Sequence, residues 1–117
     1  MALPSELRLK KRSDFGSFRK PAAVFSARFL VLKAASREDD ARKFAFAVSK
    51  RFGSAVKRNR LRRILSEWVR THIDAFPAGF NWLVILTATP DSSSHLSEVL
   101  RESIEALAVR AKNELEP

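Results

Sequence analysis

KFAFAVSKRFGSAVKRNRLRRILSEWVRTHIDAF, residues 43–76, contains a change of period that decides the fold. At its start Phe44, Phe46 and Val48 alternate with Lys43, Ala45, Ala47 and Ser49, as in a strand with one face on a core and one face open. Gly53 breaks the alternation, and Ser54 is placed to cap a helix running to about Phe76. On a 3.6-residue wheel, Leu61, Ile64, Leu65, Trp68, Val69, His72 and Phe76 make the buried stripe. The opposite arc carries Asn59, Arg60, Arg63 and Arg70, with Arg62 on its shoulder.

Upstream, Val24 to Ala34 reads as a strand, with Leu30 and Leu32 on one side and Phe29, Val31 and Lys33 on the other. A separate short strand near Phe25 stays open. The charged run Ser36–Arg42 is a turn, and the two strands flanking it suggest an antiparallel pair. Before them, Ser13 would cap a short helix over Asp14–Lys20, stopped by Pro21. Downstream, Pro77 and Gly79 end the long helix, and Trp82 to Leu86 reads as a buried strand closed by Thr87. Pro90 and the serines from Ser92 read as a loop. A last helix from about Ser94 to Lys112 would bury Leu96, Val99, Leu100, Ile104, Leu107 and Ala111. The expectation is one α/β (α+β) two-layer sandwich over residues 1–117, with a short irregular or extended arm over 1–8 and a frayed end over 113–117.

The 117 residues carry a net charge of +9, unevenly. Residues 1–63 hold 18 Lys/Arg against 5 Asp/Glu, a net +13; residues 64–117 hold 4 against 8, a net −4. Segregated like charge repels itself, so a polyanionic partner explains it better than solubility does. Residues 50–63 contain seven basic residues and no acid. Lys57 and Arg58 occupy a helix start, where partial positive charge ordinarily favours Asp or Glu. Free amides, helix dipole and side chains there all attract phosphate together. Arginine predominates at Arg58, Arg60, Arg62 and Arg63, and its planar fork matches phosphate oxygens. Asn59 could donate to a phosphate or base edge, or bond to neighbouring backbone.

Arg8, Lys10, Lys11 and Arg12 form a second basic cluster. Phe15 and Phe18 follow it, three apart on one helix face; they could line a groove for bases or belong to the core. Protein-borne catalysis finds little support. His72 lies in the apolar stripe, His95 has no ligand pattern around it, and there is no glycine-rich phosphate loop. Glu38, Asp39 and Asp40 read as a solvated turn, and Ser49, His72 and Asp74 have no reason to assemble a triad. The chain has no cysteine, which fits a reducing compartment. MALPSELRLKKR lacks a signal peptide's apolar core and Trp82–Leu86 is too short to span a bilayer, so the expected location is the cytoplasm.

With these residues in view, the chain resembles the protein component of bacterial ribonuclease P. The resemblance rests on FAVSKRFGSAVKRNRLRR, Phe46 to Arg63, with Arg58-Asn59-Arg60 as its signature, and on KKRSDF near the start. It implies an α/β fold with a left-handed crossover into the long helix. It also implies a subunit of the ribonucleoprotein endonuclease that removes the 5′ leader of precursor tRNA, with the RNA subunit and Mg2+ performing the cleavage. By position, contact with the catalytic RNA falls to Lys57, Arg58, Asn59, Arg60, Arg62 and Arg63. Contact with the single-stranded leader falls to Arg12, Phe15, Phe18, Arg19, Lys33, Lys50 and Arg51, and the resemblance implies no protein active site and no obligate protein partner. Three positions depart: Arg19 replaces a second cleft aromatic, Lys33 a strand tyrosine, and Thr87 a basic residue closing the last strand. A ribosomal-type RNA-binding protein is the main rival; a DNA-binding module and a protein-only nuclease fit less well.

Overall fold

The computed structural model describes residues 3–90 and 95–116, so the serines from Ser92 to Ser94 lie outside the described residues. Residues 24–34 resolve into two strands, β1 (Ala23–Ser26) and β2 (Leu30–Ser36), paired antiparallel with Phe25 opposite Leu32. β3 (Arg42–Ala47) and β4 (Phe80–Leu86) complete one sheet in the order β1-β2-β4-β3.

That order corrects the expected pairing of β2 with β3. β4 lies between them, antiparallel to β2 (Leu32 opposite Val84) and parallel to β3 (Phe44 opposite Trp82). Its apolar run supplies side chains to both faces, which suits an interior strand. The charged turn arches over its entry: Arg37 N–H donates to the Gly79 carbonyl at 2.8 Å, and Gly79 N–H to the Ala41 carbonyl at 3.0 Å. Gly79 holds φ at +85°, a left-handed conformation open to glycine.

The helix α2 (Ala55–Thr71) carries the chain from β3 to β4, and α3 (Leu96–Leu115) follows the sheet. Both bury their stripes on the face formed by Phe25, Leu32, Ala34, Phe44, Trp82 and Val84. Phe76 centres this layer, its ring edge-on to Phe44 at 5.1 Å and Trp82 at 5.4 Å. In α3, Leu96 and Val99 are only half-buried, while Ala108 joins the expected stripe.

His72 is exposed, not buried as its spacing suggests. α2 ends at Thr71, and His72 turns out of the helical wheel with φ −133°. Its ring stacks on Trp68 at 4.1 Å, and Nδ1 lies 2.8 Å from the Trp68 carbonyl. At the other end of the chain, α1 spans Arg12–Gly16, followed by a 3-10 turn at Ser17–Arg19. Lys11, not Ser13, precedes its first turn, and its carbonyl accepts from Asp14 N–H. Leu9 and Phe18 cover the second face of the sheet at Ala35, Ala45 and Leu83.

Candidate nucleic-acid interface

Ser54 caps α2 as its chemistry suggests: its hydroxyl accepts from Lys57 N–H at 3.3 Å. The preceding Gly53 has φ +126°, and the Lys57 stem lies where a Cβ would project. The first turn of α2 contains no acidic residue.

The basic residues expected to act together divide into two groups. Arg58 Nε donates to the Gly53 carbonyl at 3.2 Å. Arg62 donates to Asn59 Oδ1 at 2.9 Å and to the Val48 carbonyl at 3.4 Å. Four residues apart, these two guanidiniums share the side of α2 that faces β3. Arg60 and Arg63 are exposed on another side, and neither side chain has a hydrogen bond or ion pair among the described residues. The ion pairs Arg37–Asp39 and Arg70–Glu67 lie elsewhere, so the protein's acids leave this cluster charged. Asn59 is thus a local positioning group for Arg62. Sequence reasoning missed Val56, which is 81% exposed and shares a face with Arg60 and Arg63 at i, i+4 and i+7. That spacing was the available signal.

The segment before α1 combines a short turn with an extended stretch along β3. Ser5–Leu7 forms a 3-10 turn, and Leu3 and Leu9 are buried. Arg8 pairs in parallel with Phe44 on the outer edge of β3, where Leu9 N–H donates to the Phe44 carbonyl at 2.9 Å. Lys43 Nζ donates to the Glu6 carbonyl at 3.1 Å. Between this segment, β3 and α2 lies a groove of about 320 Å3, lined by Arg8, Phe15, Ala45, Phe46, Arg62 and Ser66 among others. Phe15 is 43% exposed there. Phe18, expected beside it as a leader contact, is 7% exposed and packs from the Ser17–Arg19 turn against Leu9 and the second face of the sheet. Buried this way, its ring is not available for stacking.

The second face of the sheet carries Lys33, in a row with Val24, Leu83 and Ala45. Lys50 and Arg51 occupy the 3-10 turn Lys50–Phe52 beyond the end of β3. Arg51 donates to the Thr87 carbonyl at 2.6 Å, with its guanidinium 4.6 Å from the Phe52 ring centre. It therefore brings positive charge to the strand end where Thr87 has none. Arg12 and Arg19 are exposed on and after α1.

The acidic turn is organised around Arg37, which donates to both Asp39 carboxylate oxygens at 2.8 and 3.0 Å and to Asn81 Oδ1 at 2.8 Å. The Arg37 hydrogen bond, with another from Ala41 N–H, holds the Asp39 carboxyl down at about 2. Among the described residues, no group of three or more His, Asp or Glu side chains could hold a metal ion, and no helix is long and apolar enough to cross a membrane.

Residues 3–112 match the family model described as "Ribonuclease P". The ribonuclease P protein component of Desulforamulus reducens is 40% identical over 91 residues, covering 77% of this chain and 80% of that protein. That of Pelotomaculum thermopropionicum is 32% identical over 104 residues, covering 89% and 91%. The solved RNase P protein from Thermotoga maritima superposes with a TM-score of 0.72 at 27% identity, covering 88% of this chain and 96% of that one. A family match over nearly the whole length, joined to a capped basic helix on a four-stranded sheet, shows that this chain belongs to the bacterial ribonuclease P protein component family.

Proposed function

We propose that the protein binds the catalytic RNA of ribonuclease P through α2 and the single-stranded 5′ leader of precursor tRNA through the region around α1 and the second sheet face. Cleavage is left to the RNA subunit with its magnesium ions. The observation that carries this reading is the pair Arg60 and Arg63, exposed on one face with neither side chain in an ion pair among the described residues. Guanidiniums left this way attract phosphates by charge and by paired N–H groups. Lys57, Arg58 and Arg62 extend that surface, with Arg62 held by Asn59. Phe15, Lys33, Arg19, Arg12, Lys50 and Arg51 serve the leader, with charge contributing alongside stacking.

Holding both RNAs at once converts the second contact into an intramolecular one, which strengthens substrate binding without touching the scissile bond. The deciding experiment measures leader removal by the RNA subunit at low magnesium, with and without the protein. Stimulation by the wild-type chain, lost on combining Arg60→Ala with Arg63→Ala, is the expected result. RNA binding without stimulation would instead indicate a ribosomal-type binder.

A further inference from the structure

We infer that the groove between the N-terminal segment, the outer edge of β3 and α2 is a pocket for one unstacked nucleotide, taking its base and its phosphate together. The inference rests on the reading that the partner is RNA. It adds that the surfaces assigned to the two RNAs meet in one site, because Phe15 and Arg62 line the same groove.

Three features fit such an occupant. The first is size: about 320 Å3 lies at the small end of ligand pockets, suited to a single nucleotide and not to a stacked run of them. The second is a base-reading edge. Along a strand, the N–H and C=O of alternate residues turn to the same side. The Phe44 carbonyl turns outward to meet Leu9 N–H, and the Val48 carbonyl to meet Arg62. The backbone N–H and C=O of Phe46, between them, therefore face the groove, with no partner outside the sheet among the described residues. One donor beside one acceptor complements the edge of a base, and the partly exposed Phe15 ring offers a stacking face.

The third feature is charge. Arg8 and Arg62 both line the groove, and Arg62 is fixed in advance by Asn59 and the Val48 carbonyl. A guanidinium already ordered loses less entropy on meeting a phosphate. Ser66, only 7% exposed, lines the pocket while donating to the Arg63 carbonyl at 3.2 Å, so its hydroxyl oxygen remains able to accept. A purely apolar ligand would leave both guanidiniums unused, and a bare phosphate would leave the Phe15 ring and the Phe46 edge unused.

The test is amide NMR of the full chain titrated with the four nucleoside 5′-monophosphates, with inorganic phosphate as comparison. The expected shifts concentrate at Ala45, Phe46 and Ser66 and exceed those from phosphate. Phe15→Ala, at a partly exposed position that spares the fold, weakens nucleotide binding about tenfold and leaves phosphate binding unchanged. Arg62→Gln weakens both. Nucleotide shifts spread over the basic surface as phosphate shifts are, or insensitive to Phe15→Ala, overturn the pocket. Normal assembly with the RNA subunit in that same case would leave the proposed function standing; failed assembly would remove both. In the assembled complex, 5-iodouridine placed first in the leader and then in the RNA subunit shows which strand supplies the nucleotide. A photocrosslink to Phe15 from either strand supports the pocket, and none from both overturns it.

Discussion

Arg60, Arg63, Arg58 and Arg62 look interchangeable in the sequence, yet the structure gives them different tasks. The Arg60 and Arg63 side chains are exposed with no hydrogen bond or ion pair among the described residues, so replacing both by alanine should change stability by less than about 0.5 kcal/mol each. The same change should weaken RNA-subunit binding at least tenfold; thermal melts and filter binding on one preparation check both. Asn59→Ala should behave otherwise, leaving phosphate-contacting charge intact while releasing Arg62 from its 2.9 Å partner. Its expected signature is a several-fold loss of RNA affinity with unchanged salt dependence, since no cation is removed. Asp39 supplies a pH test away from the interface. Its carboxyl sits at about 2, below its ordinary 3.8, because of Arg37 and Ala41 N–H. A depressed folded value means that its contribution is complete above pH 3.8 and lost as pH falls toward 2. Carboxyl NMR titration should find that midpoint, and Arg37→Ala should return it toward the ordinary value.

The elements were legible in the sequence where local chemistry decides them. Ser54 caps α2 because a side-chain oxygen serves a free amide three residues on, and nothing distant competes. Ser54→Ala should therefore cost about 1 kcal/mol, read from denaturant midpoints. Gly53→Ala should cost more, about 1–3 kcal/mol, because φ +126° is strained for alanine and its Cβ would lie 2.8 Å from the Lys57 stem. It should also weaken RNA binding, by shifting the start of the basic helix. Legibility failed where a contact depends on arrangement. The insertion of β4 between β2 and β3 cannot be read from either strand's alternation, since both patterns permit several neighbours. Phe15 and Phe18 lie three apart in sequence, and only the packing of the Ser17–Arg19 turn on Ala35, Ala45 and Leu83 separates the exposed ring from the buried one. The helical wheel puts Arg62 on the shoulder of the exposed arc, but its tie to Val48 spans 14 residues and a turn.

At the scale of the molecule, charge and core are divided along the chain. The first 63 residues carry the excess +13 and the remainder −4, although both halves meet in one hydrophobic layer. Roughly four to six phosphate contacts should give a slope of about −3 to −5 when log affinity is plotted against log salt. A flat plot would remove electrostatics as the basis of recognition. Phe76 joins the aromatic groups of α2, β3 and β4, and its replacement by alanine should cost about 3–5 kcal/mol, enough to unfold much of a small domain. The position of β4 also bears on how the chain acquires its shape. Every RNA-facing group proposed here precedes residue 80, yet the strand that lies between β2 and β3 and joins them into one sheet begins there. During synthesis, the cationic segment emerges while its scaffold is still missing a central member. A fragment ending at Pro77 should therefore remain largely unfolded by circular dichroism, and adding the rest of the chain should restore it. In the cell, the ribosome delivers a polycation that becomes a shaped surface only after its less basic half has been made.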